Sequence, residues 1–145
     1  MNKLSILIIL MPFCLVSCII EDSSSVDFNI KNQSSQAVKI SVPNCSLDGG
    51  NVRNDTVLSL PANTNFSYFA ESLGGVNTLP FGRVDTAWII FNNTDSVLHV
   101  FQNNSSKNIL RTESYSENII TKKHNTHYEY TYIITETDYQ NAKKH

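Results

Sequence analysis

The chain is short of cysteine and of net charge, and each shortage excludes a class of protein. Three cysteines occur in 145 residues. Cys14 and Cys18 both lie near the N-terminus, so Cys45 is alone in the remainder. One thiol forms no intramolecular disulfide, which excludes a disulfide-stapled scaffold and leaves stability to a packed core. The formal charge of −2 is too small to indicate a nucleic-acid partner.

Catalytic signatures are also missing. No serine lies in a Gly-x-Ser-x-Gly sequence, and no glycine-rich phosphate loop precedes a helix. The acidic residues of the C-terminal half are scattered along the chain, and without geometry they define no acid–base pair. We therefore predict no catalytic residue and no cofactor, and we expect a protein that is not an enzyme.

The N-terminal segment has the order of charges and apolar residues that is typical of an export signal. Lys3 provides a positive charge, and Leu4 to Val16 is an apolar run of about 13 residues. That length falls short of the ~20 residues that span a bilayer. The run ends in Leu15-Val16-Ser17-Cys18.

This ending resembles the bacterial lipobox. The resemblance implies that Cys18 carries a diacylglycerol thioether and that cleavage occurs before it. We therefore expect a signal peptide over residues 1–17 and a lipidated cysteine with a flexible tether over residues 18–25. The membrane is then a partner through the lipid at Cys18. An ordinary secretory signal with an incidental cysteine is the alternative.

Residues after the cysteine bear on the location. Ile19 stands where the best-known Gram-negative sorting rule places an Asp to retain lipoproteins at the inner membrane, so we expect the outer membrane. Glu21-Asp22 resembles a reduced form of the acidic signal that exports Bacteroidota lipoproteins to the cell surface. A solvated linker is the alternative, and the periplasmic face and the cell surface both stay open.

The rest of the chain is rich in Ser, Thr and Asn and poor in helix formers, which favours β structure with long turns. In "VDFNIK", Val26, Phe28 and Ile30 alternate with polar residues, and this period of two predicts a half-buried strand. The pattern recurs along the chain. We therefore predict one all-β domain over residues 26–145. Its fold class is an antiparallel β-sandwich of immunoglobulin-like architecture, without the Cys–Trp–Cys arrangement of a true immunoglobulin domain.

Three local signals refine this prediction. In "TAWIIF" both faces are apolar, so we expect a central strand that is covered on both sides, with Trp88 in the core. Asn92 to Asp95 has the composition of a hairpin turn. Thr135-Glu-Thr-Asp138 has the spacing of a capping box and predicts a short C-terminal helix or turn.

Histidines and tyrosines offer candidate binding residues. His124 and His127 have a spacing that could hold a metal on a helix, but the sequence places no third ligand near them, and we predict no metal site. Tyr128, Tyr130 and Tyr132 form an aromatic stripe. If exposed, this stripe is a binding face for a glycan or a protein. Aromatic stripes in strands more often belong to a core or a covered sheet face.

Three short motifs match the sequence that Bacteroidota use for O-glycosylation of exported proteins, an Asp followed by Ser or Thr and a small apolar residue. They predict modification at Thr56, Thr86 and Ser96. The alternative is that each Asp closes a turn before a strand.

The C-terminal "YEYTYIITETDYQNA", together with "DTAWIIFNNTDSVLHVF" and "NILRTESY", is similar to segments of small uncharacterised lipoproteins of Bacteroidota. That resemblance implies lineage and a β-rich domain behind a lipobox, and it implies no reaction. We expect a lipid-anchored envelope lipoprotein that acts as a non-enzymatic accessory or binding module for an envelope protein or a glycan, with no nucleic-acid partner. A small envelope hydrolase with an unrecognised site is the alternative.

Overall fold

The computed structural model describes residues 23–45, 54–73, 80–82, 84–104 and 107–143. The predicted signal peptide and Cys18 lie outside these ranges. The described strands are β1 (Ser23–Asn32), β2 (Val38–Cys45), β3 (Asn54–Leu60), β4 (Asn65–Leu73), β5 (Thr86–Phe91), β6 (Asp95–Val100), β7 (Ser116–Lys122) and β8 (Asn125–Ile134), with a 3₁₀ turn at Thr112–Ser114 and helix α1 (Glu136–Ala142).

The strands form two four-stranded sheets that pack face to face. Sheet 1 has the order β4-β1-β8-β7, and sheet 2 has the order β3-β2-β5-β6. This arrangement confirms the predicted all-β sandwich with a short C-terminal helix. One pairing departs from the antiparallel pattern, because β1 and β8 run parallel. β1 also begins at Ser23, inside the segment that was predicted to be tether.

Alternating side chains build the core between the sheets. Val26, Phe28 and Ile30 of β1 are buried, as the period of two predicted. Phe28 stacks between two tyrosines of the neighbouring strands, at ring-centroid distances of 5.1 Å from Tyr68 and 5.3 Å from Tyr130. Offset aromatic pairs of this kind add to the stabilisation that burial alone provides. Aromatic rings are therefore a large part of what sheet 1 contributes to the core.

Turn and helix signals are also confirmed. Asn92 and Asn93 adopt positive φ angles of 50° and 62°, the left-handed conformation that a type I′ hairpin turn requires and that Asn tolerates. The capping box of Thr135 and Asp138 is formed at the start of α1. Tyr139 of α1 packs on Phe91 with ring centroids 5.5 Å apart, so the helix extends the core beside β6. Within the described residues, no helix is long and apolar enough to span a membrane.

A buried amide joins the two sheets at one end. Asn32 ends β1 in sheet 1, and its side-chain nitrogen donates to the carbonyls of Gln36, Leu60 and Pro61 at 2.8, 3.1 and 3.0 Å. Its side-chain oxygen accepts from the backbone nitrogen and the hydroxyl of Ser34, at 3.1 and 2.7 Å. Leu60 ends β3 in sheet 2, so one side chain fixes the crossing of the chain from one sheet to the other.

We predict that Asn32→Ala destabilises the fold by about 3 kcal/mol, because it leaves several buried groups without partners and each unsatisfied group costs about 1–3 kcal/mol. Urea unfolding measures the loss. The matched control is Asn29→Ala on the same strand, where the side chain lies on the outer face and accepts one bond from Ser67 at 2.6 Å. It should cost less than about 1 kcal/mol. Equal losses in the two variants would contradict this role of Asn32.

Candidate functional site

Three apolar side chains and one serine form a transverse row on the outer face of sheet 2. The strand registers pair Val57 with Ser41, Ser41 with Trp88, and Trp88 with Leu98. Since directly paired residues point to the same face of a sheet, these four side chains lie side by side across all four strands. Trp88 and Leu98 are each 41% exposed, and Val57 is 60% exposed.

Neighbouring positions on the same face widen this row into a patch. Ile90 and Val100 lie one pair above and below it on β5 and β6, and both are partly exposed. We call the five residues the Trp88 patch: Val57, Trp88, Ile90, Leu98 and Val100. Lys39 and Ser96 pair with Ile90 and give the patch a polar margin.

The prediction that β5 is covered on both sides was wrong. The strand is central in sheet 2, and Ala87, Ile89 and Phe91 are buried as expected. Trp88 and Ile90 face outward, and α1 packs on the core side of the sheet against Phe91. Trp88 therefore lies in an exposed apolar patch instead of the core.

The tyrosine stripe, unlike Trp88, lies on the core side of its sheet. Tyr130 and Tyr132 are buried, at 6% and 2% exposure, and Tyr128 is partly buried against the core. Burial raises the pKa of Tyr132 far above its usual value, so this hydroxyl stays protonated. These rings form the inner face of sheet 1, and the exposed binding face that the stripe could have provided is not present at Tyr130 or Tyr132.

The three candidate glycosylation positions fall on different faces. Thr86 and Ser96 pair with Val100 and Ile90 on the outer face of sheet 2, so both border the Trp88 patch. Thr56 pairs with the buried Val42 and is on the inner side of the edge strand β3. All three are partly exposed. Modification at these positions remains a prediction.

His127 belongs to a cluster of possible metal ligands that the sequence did not reveal. His127 lies beside Asp27 and Glu129 on the outer face of sheet 1, and these three could offer ligand atoms to one metal ion. His124, which the spacing grouped with His127, is not part of this set. The parallel pairing of β1 with β8 supplies the third ligand from a distant part of the chain.

A small pocket of about 170 Å³ opens beside α1 and is lined by His99, Lys107, Tyr132 and Asp138 among others. Its volume is below the 300–1,000 Å³ that is usual for small-molecule sites. One oxygen of Asp138 accepts from the backbone nitrogen and the hydroxyl of Thr135, at 2.7 and 2.9 Å, and contacts Lys107. This carboxylate therefore serves the helix cap.

His99 is the buried titratable group of this pocket. The backbone nitrogen of Ile109 donates to its Nδ1 at 3.3 Å. Burial lowers the pKa of His99 below its usual 6.5, against an opposing effect of Asp138. Lys107 also disfavours the protonated ring. The imidazole is consequently neutral at pH 7 and accepts a hydrogen bond as part of the core.

No family model matches the chain, and neither a curated protein nor a solved structure is significantly similar to it.

We predict that His99 makes the fold less stable in acid. Since its pKa is lower in the folded chain than in the unfolded chain, the unfolded state binds more protons once the pH falls below about 6.5. The free energy of unfolding should then decrease by at most about 1.4 kcal/mol per pH unit from this one group. Urea unfolding at pH 7.5, 6.5 and 5.5 measures this slope.

His99→Gln keeps an acceptor near the nitrogen of Ile109 and removes the titration, so its slope should be shallower than that of the wild type. His124→Gln is the control, because it removes an exposed histidine that does not line this pocket, and it should change the slope less than His99→Gln does. A slope that is unchanged in His99→Gln would contradict this assignment.

Proposed function

We propose that the protein is a lipid-anchored lipoprotein of the outer membrane that acts as a non-enzymatic binding module, with the Trp88 patch as its contact surface for an envelope protein or glycan. The observation that carries this proposal is the exposed row of Val57, Trp88 and Leu98 on the outer face of sheet 2. The anchor rests on the lipobox-like sequence that ends at Cys18.

The composition of the patch supports binding. Contiguous apolar side chains with a polar margin are typical of interaction surfaces, whereas single exposed apolar residues are common everywhere. Tryptophan is enriched among the residues that contribute most to binding, and its flat ring stacks on sugar faces as well as on protein side chains. The regular strands beneath it hold the ring in place, so little order has to be gained on binding.

The position of β1 supports a short anchor. Ser23 begins the first strand, five residues after Cys18. A fully extended chain covers at most about 3.6 Å per residue, so the start of sheet 1 would lie within about 18 Å of the lipidated cysteine. Such a tether would hold the domain close to the membrane. Partners would then contact the outer faces of its sheets.

One experiment in the native host tests both parts. A photoreactive benzophenone amino acid replaces Leu98 in the Trp88 patch, and the matched control replaces Phe69, which is 57% exposed on the outer face of sheet 1. Each variant is also made with Cys18→Ala. After irradiation, cell fractions are blotted for the chain, and the adducts are treated separately with protease and with periodate.

We expect position 98 to form an adduct that position 69 does not form, and Cys18→Ala to leave an unprocessed precursor without that adduct. A protease-sensitive mass identifies a protein partner, and a periodate-sensitive mass identifies a glycan. If both positions form the same adducts, or neither forms any, the patch is not the contact surface. If Cys18→Ala is still processed and stays in the washed membrane fraction, the lipid anchor is wrong.

A further inference from the structure

A histidine and two carboxylates meet on the outer face of sheet 1, on the side of the sandwich opposite the Trp88 patch. The parallel register of β1 and β8 pairs Asp27 with Glu129 and Ser25 with His127. Because side chains two residues apart on a strand share a face, His127 and Glu129 point the same way and Asp27 lies next to them. Residues that are far apart in sequence are thereby brought into one cluster.

The distances suit a single metal ion. His127 Nε2 lies 3.4 Å from Asp27 Oδ2 and 3.8 Å from Glu129 Oε1, and one ligand atom from each residue lies within 4.8 Å of the others. Ligand atoms that each lie about 2.0–2.2 Å from a zinc ion are about 3–4 Å apart. The two distances from His127 Nε2 fall within this range.

Neighbouring polar groups hold two of the ligands in place. Ser25 Oγ lies 2.8 Å from His127 Nδ1, and the Asn118 amide donates to Glu129 Oε2 at 2.8 Å. When the Ser25 oxygen accepts a hydrogen bond from Nδ1–H, the lone pair of Nε2 faces the two carboxylates. Metal-binding histidines are commonly oriented by a hydrogen bond of this kind on the second ring nitrogen.

The two carboxylates repel each other, and a cation between them would reduce this repulsion. Like charges directly opposite each other on paired strands destabilise a sheet, and Asp27 and Glu129 stand in that relation. A divalent ion held between them would offset this repulsion with two positive charges, and it would take the imidazole as a neutral ligand.

We propose that Asp27, His127 and Glu129 bind one divalent transition-metal ion of the zinc class. The imidazole disfavours Mg²⁺ and Ca²⁺, which prefer oxygen ligands alone, and favours Zn²⁺ and its neighbours in the transition series. The three side chains are 28–39% exposed, so the ion keeps open positions for water or for an acidic group of a partner. This site is independent of the Trp88 patch and of the lipid anchor.

Titration of the full chain with Zn²⁺ alone tests the site. The protein is purified in detergent with a histidine-free affinity tag, and binding is followed by calorimetry at pH 7.5 and by the rise in Tm that ligand binding to the folded state produces. We expect one Zn²⁺ per chain, with no comparable binding of Mg²⁺. His127→Gln and Asp27→Asn should each weaken binding at least about tenfold, and Ser25→Ala about tenfold through loss of the second-nitrogen contact.

His124→Gln is the matched control, since it removes an exposed histidine three residues away, and it should bind Zn²⁺ like the wild type. His127→Gln and Asp27→Asn without metal should melt close to the wild-type Tm, which separates loss of the site from loss of the fold. The proposal is overturned if the wild type binds no Zn²⁺ saturably, if His127→Gln binds as well as the wild type, or if His124→Gln loses as much affinity as His127→Gln.

Discussion

The parallel pairing of β1 with β8 is the constraint on which the rest of the structure depends. It joins the first and last strands of the described chain in the middle of sheet 1. Closing so long a loop costs conformational entropy, although that cost grows only slowly with loop length. Stacking of Phe28 between Tyr68 and Tyr130 and burial of the β1 side chains against sheet 2 offset the cost. Helix α1 follows β8 directly, and its Tyr139 packs against Phe91 of the other sheet.

This closure leaves the two outer faces chemically different. The outer face of sheet 2 carries the apolar Trp88 patch, whereas the outer face of sheet 1 carries Asp27, His127 and Glu129. Both faces are built on paired strands, so their side chains are held in register without a ligand. Under the two proposals above, the first face would contact a partner through apolar side chains and the second would hold a metal ion.

Local patterns in the sequence were sufficient for much of the fold. Alternating apolar residues located the strands on which the core depends, the Asn92-Asn93 pair located a hairpin, and the Thr135–Asp138 spacing located the helix start. β7 (Ser116–Lys122) was missed, because all of its side chains are exposed and it has no buried alternation. Its pairing with β8 is a tertiary effect.

The site residues were harder to predict for a physical reason. A strand with two apolar faces looks the same in sequence whether the second face is covered or carries an exposed patch, so Trp88 was assigned to the core. Asp27 and Glu129 are distant in sequence, and only the β1–β8 register brings them together. Patterns among residues that are close in sequence do not reveal a pairing between the first and last strands of the described chain.

The direct measurement of the central claim is disulfide cross-linking between β1 and β8, read by peptide mapping. Parallel neighbours lie about 4.8 Å apart, which a disulfide can bridge. Cysteine pairs at Ser25 with His127 and at Asn29 with Thr131 should therefore form disulfides, because these positions are register partners. Pairs at Ser25 with Thr131 and at Asn29 with His127 should not. Cross-linking of the second two pairs instead of the first two would mean that the strands run antiparallel, and it would contradict the parallel closure of sheet 1 and the contact of Ser25 with His127.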